Sequence, residues 1–261
     1  MKIKNIFNRL NWILITQFGI NFLLLFKGIR RTPTFLIDYF KFVSSNKVKY
    51  ELQPCLHDKF ESSGDFNTEY FVQDLLVAQL IFSNKPIKHI DLGSRIDGFV
   101  SNVASFRCLD VLDIRPMTNI IKNVNFLQLD IMKDNLIESE ITDSLSCLHT
   151  LEHFGLGRYG DELNSNGYMM GLDNLIKILK NDGLFYLSTP VGKERILFNA
   201  NYIFDIEKLL NYLQNKGLSI VEFYTISNSG YNLFNSITEE LLFDLKNSPY
   251  NLVLFVLKKN I

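Results

Sequence analysis

The sequence predicts an α/β fold built on a mostly parallel sheet with helices over both faces. Two observations predict it. From residue 87 onward, apolar runs of strand length alternate with helical patterns, and such alternation needs crossover connections that lay helices over the sheet. Three of the runs also close on an aspartate, at Asp91, Asp113 and Asp130. Open α/β sheets collect their ligands outside the carboxyl ends of the strands.

Taken in order, Thr68 can cap a helix running through Tyr70, Phe71, Leu75, Leu76, Leu80 and Ile81, with Pro86 marking its end. Strands follow at 87–92, 108–113, 124–130, 144–149 and 184–189, with helices at 98–106 and 168–180 between them. Asn181-Asp182-Gly183 reads as the stop of the second of these helices. A helix at 205–215 leads past Gly217 to a strand at 218–226, and residues 251–258 supply the last strand. The link 114–123 is too short and too Pro-broken for a long helix. Residues 44–67 hold Pro54, Gly64 and paired serines and read as a connector. The chain therefore divides into a helical arm with its connector, 1–67, and a domain, 68–261.

Composition narrows the function classes. A hydrophobic content of 47% against 21% charged residues is that of a globular chain, and the net charge of −1 argues against a general nucleic-acid binder. The charge is unevenly placed. Residues 1–50 carry nine Lys and Arg against one acid, Asp38, so a basic arm precedes an acidic body. The arm is apolar as well, but Gln17, Gly19 and Asn21 interrupt its run, which is short for a bilayer span. Its basic start resembles that of a signal peptide, yet Lys27, Arg30 and Arg31 stand where a small-residue cleavage site would follow. Ile6, Leu10, Ile13 and Leu14 share one helical face, with Asn5, Asn8, Arg9 and Asn11 around them. Such an arm either lies at an anionic membrane surface or caps the domain, and the two are compatible. Cys55, Cys108 and Cys147 are odd in number and lack C-x-x-C spacing, so neither a disulfide scaffold nor a cysteine zinc site is indicated. A reducing cytoplasm, at the inner face of a membrane if the arm binds one, fits best.

The chemistry concentrates in a few segments. Asp91-Leu92-Gly93-Ser94-Arg95-Ile96-Asp97-Gly98 places an acid at a strand end and then small residues, which let the backbone approach a nucleotide-like ligand closely. An acid about twenty residues on, Asp113, can accept both hydroxyls of a ribose. Strand-end aspartates also cap turns and helices, but three in order at matching ends favour the ligand reading. The densest polar cluster follows the fourth strand, with His149, Glu152 and His153 one helical turn apart if a helix starts there. Three readings stand. In the first, either histidine takes a proton from a substrate hydroxyl while Glu152 orients a ring. In the second, His149-Thr150-Leu151-Glu152-His153 is the H-x-x-E-H of a zinc peptidase, although that motif belongs inside a helix and here follows a strand. In the third, the histidines only bond neighbouring loops. No metal site is expected. Arg158, Tyr159 and Asp161, in a glycine-rich loop, either line a substrate pocket or form an ordinary loop. Asn199 and Asn201 either bond a polyhydroxylated acceptor or cap the next helix.

Residues 91–99 and 144–161, with Phe198-Asn199-Ala200, resemble an uncharacterised bacterial family related to class I S-adenosylmethionine-dependent methyltransferases. The likeness extends from about Tyr70 to about Phe204. It implies a Rossmann-like sheet, mostly parallel with an antiparallel last strand, and S-adenosylmethionine as cofactor. Asp91, Gly93 and Ser94 would contact the cofactor, Asp113 its ribose and Asp130 its adenine, with Ile131 and Leu148 beside it. The Leu151-Glu152-His153 segment would reach the reaction centre. The family's association with surface-polysaccharide synthesis implies a sugar or lipid-linked glycan acceptor. Against proven methyltransferases the glycine motif is sparse, because Ser94-Arg95-Ile96 replaces a second close glycine.

Overall fold

The computed structural model describes residues 2–43, 52–57, 59, 68–133 and 138–260, with side chains from residue 9 onward. The expected connector, apart from 52–57 and 59, and the side chains of Asn5, Ile6 and Asn8 lie outside the described residues. The chain forms two compact units, Met1–Asp65 and Phe66–Ile261.

The first unit holds α1 (Lys2–Phe18) and α2 (Phe22–Val43). Gly19 takes φ +67, a left-handed turn that suits a residue without Cβ. Asn21 then accepts the Leu24 amide at 3.0 Å and caps α2. The two helices meet at 76°, and among the described residues no single helix is long and apolar enough to cross a membrane.

The second unit is organised by one eight-stranded sheet. Its strands are β1 (His89–Leu92), β2 (Leu109–Asp113), β3 (Val124–Gln128), β4 (Thr142–Leu148), β5 (Leu179–Val191), β8 (Leu218–Ser227), β9 (Gly230–Phe234) and β10 (Asn251–Lys259). They lie in the order β3-β2-β1-β4-β5-β10-β8-β9. Strands β1 to β5 pair in parallel, and β10 runs antiparallel to both β5 and β8. The expected Rossmann-like α/β plan with its antiparallel last strand is thus present.

Side chains that alternate along β10 divide the core in two. Leu252, Leu254 and Val256 join α3 (Glu69–Asn84) and the turns over 96–104, burying Val77, Ile81, Phe99 and Val103. Val253, Phe255 and Leu257 join α5 (Gly167–Ile178) and α6 (Ile206–Asn215), burying Leu172, Leu175, Leu209 and Leu213.

Several expectations change in detail. The helix expected at 98–106 is a π-turn, Ile96–Val100, followed by the single turn of α4 (Ser101–Ala104). Gly98 breaks it with φ −126 and ψ −106, against α3, where a Cβ would meet Asp74 Oδ2 at 2.4 Å. Asn181-Asp182-Gly183 does not stop a helix. α5 ends earlier, and the β4–β5 register jumps from Thr142↔Leu179 to Ser144↔Leu184, so these residues form a bulge. β3 stops at Gln128, which leaves Asp130 in the turn beyond it. Thr68 sits at the start of α3 without a side-chain capping bond. A small hairpin, β6 (Arg195–Leu197) and β7 (Asn201–Ile203), together with β9 and α7 (Glu239–Asn247), had no legible pattern.

Candidate active site

The carboxyl ends of β1, β2 and β4 open onto two cavities. One, of about 540 Å³, is lined largely by apolar groups including Ile114, Leu129, Ile131, Met132 and Phe154. The other, of about 630 Å³, is polar, with Tyr70, Gln73, Asp74, Ser94 and Arg158 in its wall. Gly93, Arg115, His149, His153 and Tyr159 belong to both.

The floor is the turn after β1. Gly93 has φ +71, and a Cβ there would lie 2.4 Å from Thr150 Cγ2. Only glycine lets the backbone pass so close to the residue that follows β4. Asp91 lies fully buried beneath this turn and lines neither cavity. It accepts the Ser94 hydroxyl at 2.7 Å, the Ser94 amide at 3.2 Å and the Ser146 hydroxyl at 2.5 Å. Burial pushes its pKa up to about 7. The acid expected to contact a cofactor instead fixes the turn, because a strand's inward position leaves it no path to the opening. His89 completes the buried network from Nε2 to Ser146 Oγ at 3.1 Å and from Nδ1 to Ser144 Oγ at 2.8 Å.

Asp113, at the end of β2, lines the apolar cavity but is not free. Arg115 donates to it three times: from its amide at 2.8 Å, from Nε at 3.0 Å and from Nη2 at 2.6 Å. A carboxylate has about four acceptor sites, so a ribose diol can be accommodated only if the guanidinium withdraws. The same guanidinium lies 4.6 Å from the Tyr159 ring centroid, and that of Arg158 lies 5.1 Å from it. Asp130 lines the cavity too, with Oδ1 accepting the Met132 amide at 3.0 Å.

The two histidines face different partners. His149 adopts φ +52, two residues before a short 3₁₀ turn, Leu151–His153. No regular helix forms here, so the shared helical face expected for His149, Glu152 and His153 is absent. His149 Nδ1 bonds Glu152 Oε1 at 2.6 Å, its Nε2 lies 3.5 Å from Glu69 Oε1, and the Tyr70 ring packs on it at 4.5 Å. Burial favours the neutral ring, but Glu152 and then Glu69 outweigh it and hold the pKa up at about 9. Glu152 is itself buried, which would raise it, yet His149 keeps it below the usual carboxylate range. The Nε2 atom is buried without a hydrogen-bond partner. His153 bonds the Ala200 carbonyl through Nδ1 at 2.6 Å. Burial lowers its pKa, against the pull of Glu152 and that carbonyl. A neutral ring with Nδ1–H donating leaves Nε2 as a proton acceptor. The first ring is charged and the second neutral, an arrangement able to hold an acceptor and to take its proton.

The zinc-peptidase reading has no support in this geometry. The two histidines do not converge, and no cluster of three or more His, Cys, Asp or Glu among the described residues could hold a metal. Arg158 lies at the polar cavity and donates to the Ala200 carbonyl at 3.0 Å. Asp161 folds its own loop, accepting the amides of Gly157 at 3.0 Å and Tyr159 at 3.2 Å. Asn199 is exposed and Asn201 bonds the adjacent Tyr202 carbonyl, so neither lines a cavity. Nor does either cap α6, which Asp205 caps through the Glu207 and Lys208 amides. The β6–β7 hairpin contributes a backbone carbonyl, that of Ala200, where side chains were expected. Ile131 and Leu148 line the apolar and the polar cavity respectively. Sequence reasoning missed Glu69, Tyr70, Gln73 and Asp74, all on α3. A polar stripe on an otherwise apolar helix was the available signal. Of the cysteines, Cys147 is buried, whereas Cys108 is exposed just before β2.

Residues 112–259 match the family DUF268, described as a Caenorhabditis protein of unknown function. The match begins at β2 and runs through β10, later and longer than the likeness seen in the sequence. No curated protein matches the chain. Among solved structures, the 1,6-didemethyltoxoflavin-N1-methyltransferase of Burkholderia thailandensis, bound to 1,6-didemethyltoxoflavin and S-adenosylhomocysteine, is similar with a TM-score of 0.51. Its sequence identity is 13%, over 73% of this chain and 80% of that one. The YcgJ protein of Bacillus subtilis also gives 0.51, at 10% identity over 72% and 98%. These likenesses establish the Rossmann-like fold of class I methyltransferases.

Proposed function

The chain belongs to DUF268, and from that premise we propose that it is an S-adenosylmethionine-dependent O-methyltransferase acting on a sugar or lipid-linked glycan precursor. One observation carries the reading. A neutral histidine, His153, has Nδ1 pinned to Ala200 and Nε2 without a hydrogen bond, beside a largely apolar cavity edged by the carboxylates of Asp113 and Asp130. The residues fit the cofactor. Ile114, Leu129, Ile131 and Met132 offer apolar faces to a purine, Asp130 an acceptor to its amine, and Asp113, once the Arg115 guanidinium withdraws, acceptors to a ribose. Bound there, S-adenosylmethionine supplies a methyl group on a sulfonium for in-line displacement. His153 takes the proton of the acceptor hydroxyl as the oxygen becomes nucleophilic. His149, as a cation, stands between Glu152, which fixes its ring through Nδ1, and Glu69, which faces Nε2, and brings positive charge to the polar cavity wall. Tyr70, Gln73 and Arg158 in the polar wall suit a polyhydroxylated molecule. The glycan class rests on this chemistry and on the likeness read from the sequence.

Calorimetric titration with S-adenosylhomocysteine tests the reading. Binding that Asp113→Ala abolishes is expected. Arg115's hold on Asp113 favours one rival, a non-catalytic scaffold with a methyltransferase-like fold, tethered by its basic arm to membrane glycan-synthesis enzymes. A folded protein that binds neither S-adenosylhomocysteine nor S-adenosylmethionine would overturn the enzyme reading and favour that rival.

A further inference from the structure

The face of α2 turned away from the rest of its own unit is a continuous apolar stripe. Phe22, Leu25, Phe26, Ile29, Leu36, Ile37 and Phe40 recur at helical spacing, and each is at least 41% exposed, Phe26 and Phe40 reaching 65%. The unit does not use this stripe to fold. The buried position of α2 is Gly28, on another face, where a Cβ would lie 3.6 Å from Leu56 and 3.8 Å from His57. Arg31 anchors that returning segment by donating to the His57 carbonyl at 2.9 Å. Seven large apolar side chains in one exposed row exceed what scattered surface residues explain.

Charge indicates what covers them. Exposed Lys27, Arg30 and Lys41 follow one another along one edge of the stripe. The one acid of α2, Asp38, is paired with Lys59 at 2.6 Å. An apolar strip with a basic margin complements an anionic bilayer surface, with the strip among acyl chains and the cations at the headgroups. The 76° bend after α1 suits helices lying in that plane better than one passing through it. We infer that the first unit is an interfacial anchor that docks the chain on an anionic lipid surface through the stripe of α2. This does not depend on the activity of the second unit.

Trp12, the one tryptophan in the sequence, lies on α1 with 52% exposure and serves as a built-in reporter. The full chain is floated with vesicles of phosphatidylcholine alone and with added phosphatidylglycerol, and its tryptophan emission is followed. Flotation and a blue shift are expected only with the anionic lipid. Phe26→Asp with Ile29→Asp should abolish both, and Lys27→Glu with Arg30→Glu should weaken binding at least about 25-fold, near fivefold per cation. Circular dichroism establishes that the variants remain folded. Three results would overturn the inference: no flotation with anionic vesicles, binding unchanged in the aspartate variant, or a lipid-free dimer that this variant dissociates. Resistance of the bound chain to alkaline carbonate extraction would replace surface docking by insertion.

Discussion

The buried His149–Glu152 pair makes stability depend on pH in a defined direction. The ring titrates near 6.5 when unfolded, and in the fold its pKa stands at about 9 because Glu152 and Glu69 outweigh burial. A pKa raised by folding means that the native state holds the proton more tightly. The contribution is therefore complete below about pH 6.5 and disappears as the pH climbs through about 9. At 1.36 kcal/mol per unit, the shift corresponds to about 3 kcal/mol, a large share of a domain's stability. His149→Asn isolates it. Asparagine tolerates the left-handed backbone that His149 adopts at φ +52, and its amide can still donate to Glu152, but it carries no charge. Urea unfolding of both proteins between about pH 6 and 9.5 gives the difference between them, which includes the response of Glu152 to losing the cation that holds its pKa down. The histidine protein should lead by about 3 kcal/mol at the acid end and converge on the variant at the alkaline end. A difference that stays constant across the range, or grows with pH, would refute the charged-ring assignment.

Two further substitutions probe the cavity. Gly93→Ala forces a Cβ to within 2.4 Å of Thr150 Cγ2 at φ +71. It should destabilise by about 2–5 kcal/mol, the sum of a left-handed alanine and an overpacked contact. Adding Thr150→Ser, which deletes that methyl, should recover only the contact part, as read by a double-mutant cycle; independent effects would remove the close approach from the account. Arg115→Met releases Asp113 from its guanidinium and should tighten S-adenosylhomocysteine about two- to fivefold, the worth of a half-exposed ion pair. Weaker binding in calorimetry would mean instead that Arg115 itself grips the ligand.

The parallel sheet was legible because burial on both faces leaves near-continuous apolar runs, such as Leu184 to Leu187 in β5. The strand-end acids were legible for the opposite reason, as the places where those runs break. Their roles were not. Asp91 and Asp113 end neighbouring strands alike, yet one is sealed by Ser94 and Ser146 while the other reaches a cavity. Alternation places a side chain on a face but does not say what closes over it. The β6–β7 hairpin escaped notice because its service is a carbonyl, which every residue possesses. The α3 contribution was hidden by distance: Glu69 lies eighty residues before His149, and nothing local links them.

His149 and His153 differ most from what their sequence suggests. Four residues apart, they read as equivalent, and either could have been the base. The left-handed turn at His149 separates them, sending one ring between two carboxylates and leaving the other against a carbonyl. Carboxylates make the first a cation, whereas burial against a neutral acceptor keeps the second a base. A charged ring cannot accept a proton at neutral pH, and a neutral ring pinned at Nδ1 has only Nε2 to offer. The assignment of roles therefore follows from backbone conformation at one residue, and a substitution that moved His149 out of the left-handed region would make the pair compete for Glu152.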